Sequence, residues 1–393
     1  MKLARAGYIA SVFGCLLLPG ILNAGIVPQE MASIYEDFRL DKMTFGIIAG
    51  SVSIAATCLG VSAAWLVPRW GAYRTCLAGY GLLVLGLIGT SQAGFGPLAL
   101  GLGVCLAWGM AYLHLANGLA VQLAPHRAAA MTNLLHGING IGKAVGPLFA
   151  LLGTGWRPPF LALGLLAAAL GALGLVGLRA PPEPSSEGST GRNEEAPARE
   201  ALRAPLFWAC AALFFPIVGM EICVTIWLPN HLQHDAGLEK AAGEAAAQTA
   251  ALTILWTMCA LRLLAPLYLR ALPPVAWLAL SACAAPGILL VTEGGHAAGP
   301  WAFAGFVLCG IAFAAPWPTF FALACRYFPK HKGLLSIGSG AATSLAYIVF
   351  YALGGVVGAK AGLEWTLRIS PMLAALMGLG AVLIWWRGER GLR

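Results

Sequence analysis

The chain has 393 residues, of which 59% are hydrophobic and only 10% charged, where soluble domains carry about a quarter charged residues. Apolar runs of about 20 residues recur along the whole length, each long enough to cross a bilayer as a helix, so a soluble globular domain is excluded. The formal net charge of +8 is accounted for by membrane topology and calls for no nucleic-acid partner.

The pattern predicts an all-α membrane protein with twelve transmembrane helices in two pseudo-symmetric six-helix bundles. The first stretch, "MKLARAGYIASVFGCLLLPGILNAG", has Lys2, Arg5 and small residues near Ala24, as a signal peptide does. Its apolar run is longer than a signal core, so it reads as the first helix, 6–29. Five more are predicted at 43–67, 73–92, 97–123, 128–153 and 158–178. The stretch "RAPPEPSSEGSTGRNEEAPARE", Arg179 to Glu200, has no apolar residue larger than Ala and cannot build a core. A flexible linker over 179–203 thus divides an N-terminal bundle, 1–178, from a C-terminal bundle, 204–393. The second six helices are predicted at 204–230, 245–269, 272–292, 299–325, 332–358 and 365–387.

Placing the N-terminus in the cytoplasm puts 16 of the 24 Lys and Arg residues on that side and 6 on the other. The excess of positive charge inside makes both termini and the linker cytoplasmic, and the expected location is a plasma (inner) membrane. The halves echo each other: "GMAYLHLANGLAVQLAPHR" (109–127) parallels "GIAFAAPWPTFFALACRYFPKHK" (310–332). Each runs from Gly-x-Ala-aromatic to a basic loop after a Pro. Paired halves suit a transporter whose central site faces each side in turn. The ten cysteines lie within apolar runs or at their ends, without a CxxC pair, and read as small hydrophobes. No catalytic triad, cofactor site or metal cluster is evident, so an enzyme is not expected.

These features resemble the major facilitator superfamily over essentially the whole chain. That family's loop signature between helices 2 and 3, G-x-x-x-D-R-x-G-R-R, aligns with "AWLVPRWGAYR" (64–74). Arg69, Gly71 and Arg74 fit, so the resemblance implies a gating role for Arg69 and Arg74, while Pro68 replaces the acid. "LNAGIVPQ", "TNLLHGINGIGKAVGP", "VGMEICVTIWLPN", "LRLLAP" and "PWPTFFAL" resemble helices 1, 5, 7, 8 and 10 of the fucose permease group. That group implies proton-coupled sugar uptake. Its two proton-coupling acids are replaced here by Ala24 and Leu113. "LRLLAP" is also similar to helix 8 of monocarboxylate transporters, whose arginine holds a carboxylate.

The stretch "GINGIGKA" (137–144) nearly spells a phosphate-binding loop, but Ala144 replaces the hydroxyl that holds magnesium, and the flanks are transmembrane. The glycines fit close helix packing instead; the resemblance implies packing of helix 5 against helix 8. Three charges lie deep in predicted helices: Lys143, Glu221 and Arg262. Intramembrane charges mark functional sites or paired struts. At 1.5 Å rise per residue, Lys143 and Glu221 sit about 24 and 25 Å along their helices from the cytoplasmic ends, and Arg262 about 12 Å in. Two readings follow. Lys143 and Glu221 form a strut while Arg262 bonds backbone carbonyls, or Lys143 and Arg262 form a cationic cavity whose planar guanidinium grips a carboxylate.

His114 and Asn117 fall one turn apart on predicted helix 4, and His136 precedes the glycines on helix 5. His114 is the candidate proton carrier, since imidazole ordinarily titrates near about pH 6.5; Glu221 and His136 are further coupling candidates. Asn23, Asn117 and Asn139 can hydrogen-bond a polar solute. Trp227 and Trp317, with Trp256, can stack on a sugar. Pro316 and Pro318 in "PWPT" each remove a backbone donor and predict a break in helix 10. The expected function is secondary transport of a small polar solute across the bilayer by alternating access. Two deep cations against one deep acid favour an organic anion such as a monocarboxylate. The alternatives are a neutral sugar or polyol taken up with protons, a small-molecule exporter, or a sensor that keeps the fold. A monomer is expected.

Overall fold

The computed structural model describes residues 2–26, 34, 37–39, 54–55, 58–94, 96–149, 152–153, 155–178, 198–232, 236–269, 271–292 and 299–391. The predicted linker lies mostly outside these residues, as does most of the predicted second helix. Among the described residues all regular structure is helical, and ten helices are long and apolar enough to cross a membrane. The chain forms two compact units: 1–123, 138–200 and 329–340 in the first; 124–137, 201–328 and 341–393 in the second.

In the first unit, α1 (Lys2–Gly20) runs into a π-helical turn, Ile21–Ile26. α2 (Ala63–Trp70) ends at Gly71, whose φ of 82° suits a residue without a side chain. The turn to α3 (Ala72–Gln92) is that single residue. α4 (Gly96–Leu113) and α5 (Ala116–Leu123) share one predicted span, interrupted at His114 and Leu115. α6 (Ala128–Phe149) begins in the second unit and passes into the first after Gly137, and α7 (Arg157–Gly177) completes the first.

Two tyrosines, Tyr80 buried and Tyr73 half-buried, lock α1, α3 and α7 together. The Tyr80 hydroxyl donates to the Ser11 carbonyl at 2.6 Å, and the Tyr73 hydroxyl donates to the Gly174 carbonyl at 2.9 Å. A phenol in an apolar bundle needs such a partner. At one end of the unit Asp37 accepts from the Trp156 indole at 3.0 Å and pairs with Arg157 at 3.2 Å.

After the short α8 (Ala198–Arg203), the second unit holds α9 (Pro205–Thr225), α10 (Trp227–Asn230), α11 (Lys240–Tyr268), α12 (Pro274–Ala284) and α13 (Leu289–Thr292). α14 (Pro300–Ala314), α15 (Pro316–Tyr327) and α17 (Leu363–Gly391) follow, while α16 (Lys332–Ala361) begins in the first unit and passes into the second after Gly340. The pairings repeat those of the first unit. α1 packs on α7 as α9 packs on α17, α3 on α7 as α12 on α17, and α3 on α4 as α12 on α14. This is the internal repeat that the sequence echo predicts, now visible as packing.

Candidate functional site

The predicted break in helix 10 is present: α14 ends at Ala314, Ala315 is a bend, and α15 starts at Pro316. Pro318 has no N–H to offer the Ala314 carbonyl four residues back, and the last carbonyls of α14 lack helical partners. Arg262 on α11 fills both gaps. Its Nε donates to the Ala314 carbonyl at 2.8 Å and its Nη2 to the Phe313 carbonyl at 2.9 Å. The side chain is 3% exposed. The same Nη2 lies 4.0 Å from Oε2 of Glu221 on α9, whose side chain is 21% exposed. The sequence depths placed Arg262 and Glu221 apart. Both side chains are long, and together they close that distance.

The start of α6 brings polar groups into the second unit. Asn133 Nδ2 donates to the Ala129 carbonyl at 2.8 Å and to Thr319 Oγ1 at 3.0 Å, and both residues are fully buried. Asn133 Oδ1 is buried without a hydrogen-bond partner. One turn on, the His136 ring lies 4.4 Å from the Trp317 ring. The Trp317 indole donates to Thr343 Oγ1 at 3.3 Å and stacks on Phe321 at 5.4 Å, with Phe214 5.1 Å away. The Gly137 site faces Leu263 of α11, where an added Cβ would come within 2.8 Å of Cδ2. That contact is the close approach of helices 5 and 8 that the resemblance implies.

Trp227 is occupied in packing. Its indole donates to the Phe350 carbonyl at 3.2 Å and rests on Gly354, where any side chain would collide with it. Trp256 is 55% exposed.

In the first unit, His114 sits in the α4–α5 interruption. Its carbonyl accepts from the Asn117 side chain at 2.9 Å and from the Asn117 backbone at 3.1 Å. His114 Nδ1 and Trp108 Nε1 are buried without a hydrogen-bond partner. The Tyr112 hydroxyl shares a 2.5 Å hydrogen bond with Ser62 Oγ.

Asn139 donates to the Leu16 carbonyl of α1 at 2.8 Å. Gly142 abuts the Leu17 carbonyl, and Gly20 abuts the Asn139 carbonyl. The near-phosphate loop is therefore a tight crossing of α6 on α1, and Lys143 is half-buried next to it. Asn23 lies in the π-helical turn, and its side chain is outside the described residues. Arg69 folds back on its own helix, donating to the Trp65 carbonyl at 2.9 Å with its guanidinium 4.0 Å from the Trp65 ring. Arg74 is exposed.

The Major Facilitator Superfamily model matches residues 9–358. The chain belongs to the Major Facilitator Superfamily. It is accordingly a multi-pass membrane transporter and not an enzyme, with the twelve-helix all-α fold of that superfamily. Among solved structures it is similar to a superfamily transporter, FucP, in the outward conformation. The identity is 17% and the TM-score 0.74, over 97% of this chain and 98% of that one. The N162A form of the Escherichia coli fucose:proton symporter gives 16% and 0.69, over 97% of each chain. The proton:xylose symporter XylE, bound to 6-bromo-6-deoxy-D-glucose, gives 16% and 0.69 over 95% of each. No curated relative matches.

Within this superfamily chain, Asn133, Thr319 and Thr343 are polar contributors that the residue-by-residue reading passed over. The first two stand inside the quoted "TNLLHG" and "PWPT" stretches, next to residues that were selected. Nothing near Thr343 in "GAATSLAY" (340–347) marks it.

Proposed function

We propose that this chain carries a small neutral polar solute, a sugar or polyol, together with protons. The observation that carries the reading is the engagement of Arg262. Its fork is spent on the Phe313 and Ala314 carbonyls and its charge is faced by Glu221. A carboxylate anchor needs that fork open, so the lean to an organic anion gives way to its alternative. Asn133 Oδ1 adds support, because a buried acceptor without a partner suits a hydroxyl donor and repels a carboxylate. The fold likeness to fucose and xylose proton symporters points the same way.

His136 and Trp317 supply the aromatic face of this site, Asn133 and Thr319 its hydrogen bonds, and Glu221 the coupling acid. His114 and Asn117 are the corresponding polar pair in the first unit. Both termini face the cytoplasm in this reading, because the basic residues gather on that side of the inner membrane.

The test is thermal stabilisation of the purified transporter by a panel of sugars, polyols and monocarboxylates, since bound ligand raises apparent stability by mass action. A neutral sugar or polyol is expected to raise Tm. A carboxylate that raises it while no sugar or polyol does would overturn the proposal.

A further inference from the structure

Between α9 and α17 the second unit carries a groove of about 500 Å³. Its walls include Ala212, Leu213, Phe215 and Pro216 on one side and Leu376 and Gly380 on the other, and Arg387 is its one charged residue. The groove exists because two residues give up bulk or hydrogen bonding there. Pro216 removes a backbone donor from α9, and Gly380 leaves the space that Leu213 enters, 2.5 Å from where a Cβ would sit. It is open along its length, with Leu376 55% and Leu383 51% exposed.

The groove is polarised. Leu376 and Arg387 are eleven residues apart on α17, about 16 Å of rise, close to the depth of one leaflet of a hydrocarbon core about 30 Å thick. The Arg387 end carries the marks of a membrane–water interface. The Trp208 indole donates to the Leu202 carbonyl at 2.8 Å, and Arg390 lies 3.6 Å over the Trp386 ring. Tryptophan favours that depth. Arg203, two residues before Pro205 where the groove starts on α9, adds a further exposed cation at that end.

We propose that this groove is a binding site for an anionic phospholipid, with one acyl chain along α9 and α17 and the headgroup phosphate on Arg387. The chemistry requires both parts. A groove about one leaflet deep and apolar apart from Arg387 takes any acyl chain, and the cation at its interfacial end selects the negative headgroup. No residue of the proposed transport site lines the groove, so the two proposals stand or fall separately.

The test is native mass spectrometry of the full-length protein released from micelles containing equal amounts of phosphatidylglycerol and phosphatidylcholine with identical acyl chains. The intact protein is expected to retain phosphatidylglycerol several-fold over phosphatidylcholine. Arg387→Gln is expected to lower that ratio about fivefold, the scale of one basic side chain at an anionic surface. Arg368→Gln, at the other end of α17, is expected to leave the ratio unchanged. Ala212→Phe fills the groove and is expected to reduce retained lipid of both kinds. Equal retention of the two lipids by the unaltered protein overturns the proposal. So does an undiminished preference in Arg387→Gln, or full lipid retention in Ala212→Phe.

Discussion

Arg262 Nε donates to the carbonyl of Ala314 at 2.8 Å, the carbonyl that Pro318 leaves without a helical donor. An arginine in the middle of a membrane helix is here the missing rung of its neighbour's ladder. Its burial is tolerated because the bonds are charge-assisted and Glu221 stands 4.0 Å away. Arg262→Gln is therefore expected to lose folded stability, by about 1.5–3 kcal/mol for each charged hydrogen bond removed. Arg262→Lys should recover only part of this, since an ammonium lacks the fork. Thermal unfolding in detergent measures both. Wild-type-like stability with loss of solute binding would return Arg262 to the role of substrate anchor.

Pro318→Ala probes the other side of the same contact. The new N–H competes with Arg262 for the Ala314 carbonyl and weakens the break, which Pro316 alone then maintains. Broken helices at membrane depth are tolerated where they line a cavity or are buried in protein, and here Arg262 holds the Phe313 and Ala314 carbonyls at the break. Transport by Pro318→Ala in proteoliposomes is expected to slow several-fold while Tm holds or rises. An unaltered rate would show that the break is incidental to transport.

The break itself was legible, because two prolines at 316 and 318 in an apolar run admit little else. The internal repeat and the membrane character were legible for the same kind of reason: each rests on local spacing or composition. The approach of helix 5 to helix 8 came from the family resemblance, since glycine spacing names no partner, and Gly142 packs on α1 instead. All three deep charges, Lys143, Glu221 and Arg262, stood out in the sequence, and Glu221 and Arg262 meet in the structure as a pair that depth arithmetic along straight helices kept apart. Asn133 and Thr319 were not chosen. An Asn and a Thr in membrane helices 186 positions apart carry no sequence signal of their contact, which only tertiary packing creates.

The "GINGIGKA" stretch yields a sharp contrast in stability. A Cβ at Gly142 would collide with the backbone carbonyl of Leu17, and backbone cannot give way as a flexible side chain can. Gly142→Ala is expected to lower Tm clearly, with the two helices forced apart. Gly81 on α3 has nothing within 4 Å of the same position. There Gly81→Ala should be neutral or stabilising by up to about 1 kcal/mol from helix propensity. Equal effects of the two changes on thermal unfolding would refute the tight crossing of α6 on α1.

Glu221 carries the coupling prediction. Its carboxylate lies 4.0 Å from a buried guanidinium, with 21% of the side chain exposed, so a change in its charge is felt by Arg262. If protonation of Glu221 and solute binding favour each other, each must strengthen the other equally, and solute affinity in the unaltered transporter rises as pH falls. Glu221→Gln keeps the shape of the protonated acid and removes the titration. Its affinity is expected to stay at the low-pH level across the range. Accumulation driven by a pH gradient across proteoliposomes should be abolished, while exchange of labelled for unlabelled solute continues. Glu221→Asp should restore part of the gradient-driven uptake, because the titrating group returns. Gradient-driven accumulation that survives in Glu221→Gln would move the coupling site elsewhere, and His114, with its buried Nδ1 in the α4–α5 interruption, would be the next group to replace.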